Sequence, residues 1–198
     1  MARPRMFDED RALDAAMRTF WERGYEATST QDLCAATGLG RSSIYNTFKS
    51  KHDLFQRALH RYMTTMNAVQ LAVLEDPGRS GADRIRDLFA LVLDGDARNR
   101  PHGRSLGCLS VNSTVELAAH DATAAGMLER DTARRLDGLR TAVEAGRRDG
   151  SITSTRDAGD LARFLNATVA GLRVCAQGGA DRTSLDAIAA IALDALTV

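Results

Sequence analysis

An all-helical fold is what this sequence predicts, on three observations. Strand signals are almost absent, only three prolines interrupt 198 residues, and Ala and Leu recur at the three- and four-residue spacing of a helix face. A chain of this length can bury one good core, or a small head joined to a larger body.

The first helix is expected from about Asp8 to Arg23, with Leu13, Met17, Phe20 and Trp21 on one face and Gly24 ending it as a glycine C-cap. A second follows Thr28-Ser29, where either Thr28 with Gln31 or Ser29 with Asp32 can form a capping box, and it stops at Gly38. A short third helix runs from Arg41 to about Phe48. Ser50 then caps a long fourth, with Asp53 at its third position, continuing through Leu54, Ala58, Tyr62, Met66 and Val69 to Leu74. The clearest break is Asp76-Pro77-Gly78-Arg79-Ser80-Gly81. Beyond it, helices are expected near 83–98, 106–120, 122–148, 157–177 and 183–196.

Net charge is zero, with 26 Lys+Arg against 26 Asp+Glu. Distribution says little more: residues 1–62 carry 10 basic and 8 acidic side chains. Cys34, Cys108 and Cys175 are odd in number and widely spaced, which reads as thiols in a reducing compartment. The N-terminus turns acidic at Asp8, where a secretory leader would turn apolar. No apolar run approaches the roughly 20 residues that span a bilayer. A cytoplasmic protein with no membrane partner is expected. His52, His60, His102 and His120 form no close ligand pair, so neither metal nor cofactor is expected.

The chemistry concentrates between Ser29 and Leu54. An amphipathic helix carrying Leu33 and Ala36 meets a tight Gly38-Leu39-Gly40 turn, then a short helix rich in Arg, Ser, Tyr, Asn and Thr. Glycine lets two short helices cross steeply. The second of them anchors through Ile44 and Phe48 and leaves its other faces for a groove of double-stranded DNA. Arg41, Ser42, Ser43, Tyr45, Asn46 and Thr47 can reach base edges and phosphates. Lys49 and Lys51 stand where the fourth helix begins, whose first amides also suit a phosphate. Arg3 and Arg5 form a basic arm able to enter a minor groove.

Three runs carry a resemblance: Phe20-Trp21-Glu22-Arg23-Gly24-Tyr25-Glu26-Ala27-Thr28-Ser29, Leu33-Cys34-Ala35-Ala36-Thr37-Gly38-Leu39, and Ile44 through Leu54. With these, residues 7–62 resemble the DNA-binding domain of the tetracycline-repressor (TetR) family. The resemblance implies a three-helix helix-turn-helix head over residues 1–50, joined by a long helix, residues 51–74, to a six-helix-type ligand and dimerisation body over 51–198. It implies that Tyr45 and Lys51 touch phosphates and that Arg41, Ser42 and Ser43 read the groove; Thr28 and Lys49 are expected on the same DNA-binding surface. Where family members often carry an aromatic residue and then His, this chain has Asn46 and Thr47, which alters the operator read; Asn46 can pair with adenine.

In the body, the stretch from Gly107 to Ala118 is similar to a TetR subgroup with a GCLxxNxxxE run. If the Val115/Leu117 side is buried, Asn112 and Glu116 line a ligand pocket; otherwise they join helices through a buried hydrogen-bond network. Asn166 is a further ligand candidate. Cys108 opens the sixth helix, where first-turn amides stabilise a thiolate. The resemblance, to some TetR-family relatives with a cysteine sensor at this place, implies an oxidant- or electrophile-sensing Cys108, with Cys175 as a resolving thiol. Gly103-Arg104-Ser105-Leu106-Gly107 matches a G-x-S-x-G nucleophile elbow, but a loop precedes it instead of a strand, so catalysis is not expected.

The last two helices are expected to form a homodimer. Ala158, Leu161, Leu165, Val169, Leu172 and Ala176 share a stripe, joined by Leu185, Ile188, Ala192 and Leu196. Such a dimer reads a palindromic operator, blocks polymerase as a repressor (an activator is the alternative), and is released by an unidentified small-molecule or oxidant effector.

Overall fold

The computed structural model describes residues 8–100 and 103–197, and every regular element within them is an α-helix. The helices are α1 (Glu9–Arg23), α2 (Thr30–Thr37), α3 (Arg41–Phe48), α4 (Lys51–Leu74), α5 (Gly81–Arg98), α6 (Leu109–Leu117), α7 (Ala122–Asp149), α8 (Ala158–Gln177) and α9 (Arg182–Asp194). Arg3 and Arg5 lie outside the described residues. None of these helices is long and apolar enough to cross a membrane.

Local chemistry sets most of the ends. The Asp8 carboxylate accepts the amides of Asp10 and Arg11 at 3.1 and 3.2 Å and starts α1. Of the two capping boxes open to α2, Ser29 with Asp32 forms: the Asp32 amide donates to Ser29 Oγ at 3.1 Å, and the Ser29 amide donates back to the Asp32 carboxylate at 2.9 Å. Ser50 Oγ accepts the Asp53 amide at 3.0 Å and starts α4. The sixth helix is shorter than its sequence suggests, so Cys108 precedes it and does not open it.

The chain folds as two compact units. The first holds residues up to Thr64 together with Leu109–Met127; the second holds Thr65–Cys108 and Leu128–Val198. In the first unit, Phe20, Leu33, Ile44, Phe48, Leu54 and Phe55 are fully buried. Phe20 meets Phe55 edge-on at 5.2 Å between ring centres, and Trp21 meets Tyr62 likewise at 4.9 Å. Arg57 pairs with Glu9 at 3.1 Å, and Arg61 with Asp10 and Asp14 at 2.7 and 2.6 Å, strapping α4 to α1.

The second unit buries Ile85, Leu88 and Phe89 of α5, Leu139 and Val143 of α7, and apolar stripes of α8 and α9. This corrects the expected dimer face. Ala158, Leu161, Leu165, Val169, Leu172, Ala176, Leu185, Ala192 and Leu196 are all buried inside their own chain. Of the expected stripe Ile188 alone is exposed; with it α8 and α9 leave outside Phe164, Val174 and Ile191, Ile191 being 71% exposed.

Candidate nucleic-acid interface

Gly38 closes α2 with a left-handed φ of 70° and donates its amide to Cys34 O at 3.0 Å; Gly40 then opens α3 in extended conformation. Only glycine takes the first of these shapes without strain. Helical periodicity divides α3 into two faces. Ile44, Thr47 and Phe48 point into the core, while Arg41, Ser42 and Asn46 are exposed and Ser43 and Tyr45 half-buried. Tyr45 Oη lies 3.2 Å from Thr30 Oγ1, tying α3 to α2, and the Arg41 guanidinium sits 5.7 Å from the ring centre. The Thr30 hydrogen bond, then that of Arg41, hold the Tyr45 phenol below its ordinary pKa.

Two expected contacts do not fit this surface. Thr28 is 0% exposed and its hydroxyl donates to Gly24 O at 2.6 Å; Thr47 is 8% exposed on the inner face of α3. Both side chains are used in packing.

Charge is sorted more sharply than the near-neutral total suggests. From Leu33 to His52 the chain carries Arg41, Lys49 and Lys51 and no carboxylate. Glu9, Asp10 and Asp14 of α1 are instead engaged by Arg57 and Arg61, and Glu22 by Arg18. The run from α3 into the first residues of α4 is therefore cationic, and the first carboxylate after it, Asp53, is paired with Arg57 at 3.2 Å; a cationic run is what a phosphate backbone requires. Lys49, exposed between α3 and α4, has φ 58°, the only positive φ on a non-glycine among the described residues. Lys51 Nζ lies 4.3 Å over the Tyr25 ring.

Tyr25 is the hub behind this surface. Its ring packs on Phe20 and Phe55, with centres 6.2 and 4.9 Å away, and on His52 at 6.1 Å. Burial, reinforced by the charges of Glu26 and Asp121, raises its phenol pKa. Asp121 caps α7 through the amides of Thr123 and Ala124, both at 3.0 Å, and its carboxylate lies 2.6 Å from His52 Nε2. Burial opposes its ionisation, but the Ala124 amide, His52 and the Thr123 amide together bring its pKa below the ordinary carboxylate range.

Of the two roles open to Glu116, a pocket wall or a hydrogen-bond link between helices, its contacts are of the second kind: Val115 is 84% exposed, while Leu109, Ser113 and Leu117 face inward. The Glu116 carboxylate accepts the backbone amides of Tyr25 at 3.0 Å and Glu26 at 2.8 Å, within the first unit. No local sequence signal couples residues about ninety positions apart. Asn112 is half-buried on α6.

In the second unit, the Asn67 amide donates to the buried Asp131 carboxylate at 2.7 Å, Asp131 pairs with Arg135, and Arg135 Nε donates to Asn166 Oδ1 at 3.3 Å. Asn166 therefore belongs to a polar network across α4, α7 and α8. Cys108 is buried, Cys175 is exposed on α8, and no disulfide joins them. The G-x-S-x-G segment is a turn, with positive φ at Gly103 and Gly107. Ser105 is buried, bonded to Asp96 and accepting the Gly107 amide at 3.0 Å.

A helix-turn-helix whose second helix exposes Arg41, Ser42 and Asn46 and runs on to Lys49 and Lys51 with no carboxylate between Leu33 and His52, in an otherwise helical chain, defines a DNA-binding transcription regulator. Comparison with known proteins gives the family. The model of bacterial regulatory proteins of the tetR family matches residues 12–58, and that of the tetracyclin repressor-like C-terminal domain matches residues 81–192. The chain belongs to the TetR family of regulators, and it is not an enzyme. It is 36% identical to the uncharacterized HTH-type transcriptional regulator YezE of Bacillus subtilis (strain 168), covering 93% of this chain and 94% of the relative. It is 33% identical to the HTH-type transcriptional repressor ComR of Escherichia coli (strain K12), covering 96% and 90%. Among solved structures, a cysteine mutant of the TetR family regulator CifR in complex with 26-base-pair operator DNA superposes with a TM-score of 0.84 at 29% identity, covering 98% of this chain and 99% of that one.

Proposed function

We propose that this regulator is a repressor, bound as a homodimer to a palindromic operator and released by a small-molecule or oxidant effector. The observation that carries it is the surface of Arg41, Ser42, Ser43, Tyr45 and Asn46, continued by Lys49 and Lys51 with no carboxylate between Leu33 and His52. ComR is described as a repressor, and CifR is seen on operator DNA. In this reading residues 1–50 read DNA, and residues 51–198 hold the effector and dimerise.

The dimer uses the outer faces of α8 and α9. Phe164, Val174, Ile188 and Ile191 leave an apolar surface that a second copy covers symmetrically, in a four-helix arrangement. Two recognition helices then stand roughly 34–36 Å apart, one DNA turn. Effector candidates are the polar network of Asn67, Asp131, Arg135 and Asn166, separately Asn112 and Glu116 on α6, and the thiols Cys108 and Cys175. Cys108 is favoured as the sensor by its place just before α6, and CifR was solved with cysteines replaced. A mobility-shift titration on the DNA upstream of the chain's own gene tests the central reading. A retarded complex whose affinity falls steeply with salt is expected, and its absence at low salt refutes DNA binding.

A further inference from the structure

The two amides that follow Gly24 donate to one carboxylate, and that carboxylate comes from a helix about ninety residues away. Tyr25 N and Glu26 N reach Glu116 at 3.0 and 2.8 Å, and Gly24 turns the chain with φ 83° so that both point the same way. The fit leaves no spare room, since a Cβ on Gly24 would stand 3.0 Å from each Glu116 oxygen. Amides paired with a carboxylate hold a turn more firmly than neutral pairs do. What this turn carries is the Tyr25 ring, wedged against Phe20, Phe55 and His52, and over that ring sits the Lys51 ammonium at 4.3 Å. The same turn leads through buried Thr28 into the Ser29 cap of α2.

We infer that Glu116 is a positioning residue for DNA binding: by clamping the Tyr25 and Glu26 amides it fixes the Tyr25 ring and, through it, the Lys51 ammonium at the phosphate surface. The proposal rests on the DNA-binding reading above. Glu116 touches no DNA itself. Its effect travels from carboxylate to backbone turn, from turn to ring, and from ring to cation, each link being a contact within the first unit.

The test uses the full chain and Glu116→Gln, which keeps size and removes charge while setting an amide N–H₂ against donors. Residue-resolved amide exchange should show Tyr25 and Glu26 losing protection while α1 and α2 keep theirs. Operator affinity should fall on the order of tenfold, the worth of about one charge-assisted hydrogen bond. In a double-mutant cycle with Lys51→Ala, the loss from Glu116→Gln should shrink, because both changes act on one contact. Unchanged protection at Tyr25 and Glu26, or protection lost throughout α1–α3, overturns the clamp. Unchanged operator affinity, or strict additivity with Lys51→Ala, overturns the route through Lys51. A wild-type chain that retards no DNA defeats the DNA-binding reading and this role with it, while the exchange data still report whether Glu116 holds the turn.

Discussion

Replacing Gly24 with Ala strains the backbone and crowds the clamp at once, and the two costs can be separated. Gly24 has φ 83° and ψ 169°, a region open essentially only to glycine; a side chain held there costs about 1–3 kcal/mol. The new Cβ would also meet both Glu116 oxygens at 3.0 Å, tighter than ordinary contact, so the carboxylate must retreat from the Tyr25 and Glu26 amides. Weakening those bonds adds about 1 kcal/mol. The sum, about 2–4 kcal/mol, lowers the melting temperature by roughly 5–15 °C in a chain of this size. Thermal unfolding followed by circular dichroism measures it. In a Glu116→Ala background the crowding disappears and only the backbone strain remains, so the same substitution should cost less. A Gly24→Ala protein melting within a degree or two of the wild type refutes the strain argument. An equal penalty in both backgrounds refutes the steric link to Glu116.

Three further outcomes are expected. Tyr45→Phe and Lys51→Ala should weaken binding to all DNA sequences alike, by about threefold to tenfold, whereas Arg41→Ala should relax base preference at particular positions, as binding to a library of operator variants will show. Ile191→Glu buries a charge in the face assigned to the second copy and should give a monomer of 21.4 kDa by light scattering at micromolar concentration; Leu165→Glu, aimed at the internal core, should instead unfold the second unit. Cys108→Ser should keep operator affinity in reductant and lose release by peroxide or a quinone; release that persists would leave Cys108 a packing residue.

Much of the helix-turn-helix was legible in the sequence because it is built from local rules. The cap at Ser50, a cap at Thr28 or Ser29, the stops at Gly24 and Gly38, and the apolar spacing of α1 to α4 are all decided within a few residues. The short α3 also announced its exposed side, since Ile44 and Phe48 could only be its anchors. Thr28 and Thr47 escaped because a hydroxyl is compatible with either a groove or a core. Only tertiary packing, through the Gly24 O acceptor and the inner face of α3, chose the core.

The same division runs through the rest of the chain. Helical spacing by itself determined that α8 and α9 carry apolar faces, as any period of three to four residues does. It did not determine which face the chain keeps, because α8 carries Leu161, Leu165, Val169 and Leu172 as well as Phe164 and Val174, and α9 carries Leu185 and Ala192 as well as Ile188 and Ile191. Packing against α5 and α7 took the first set and left the second outside. Glu116 is the sharper case: a carboxylate finds its donors by proximity in space, and two backbone amides about ninety residues away leave no mark on the residues around it.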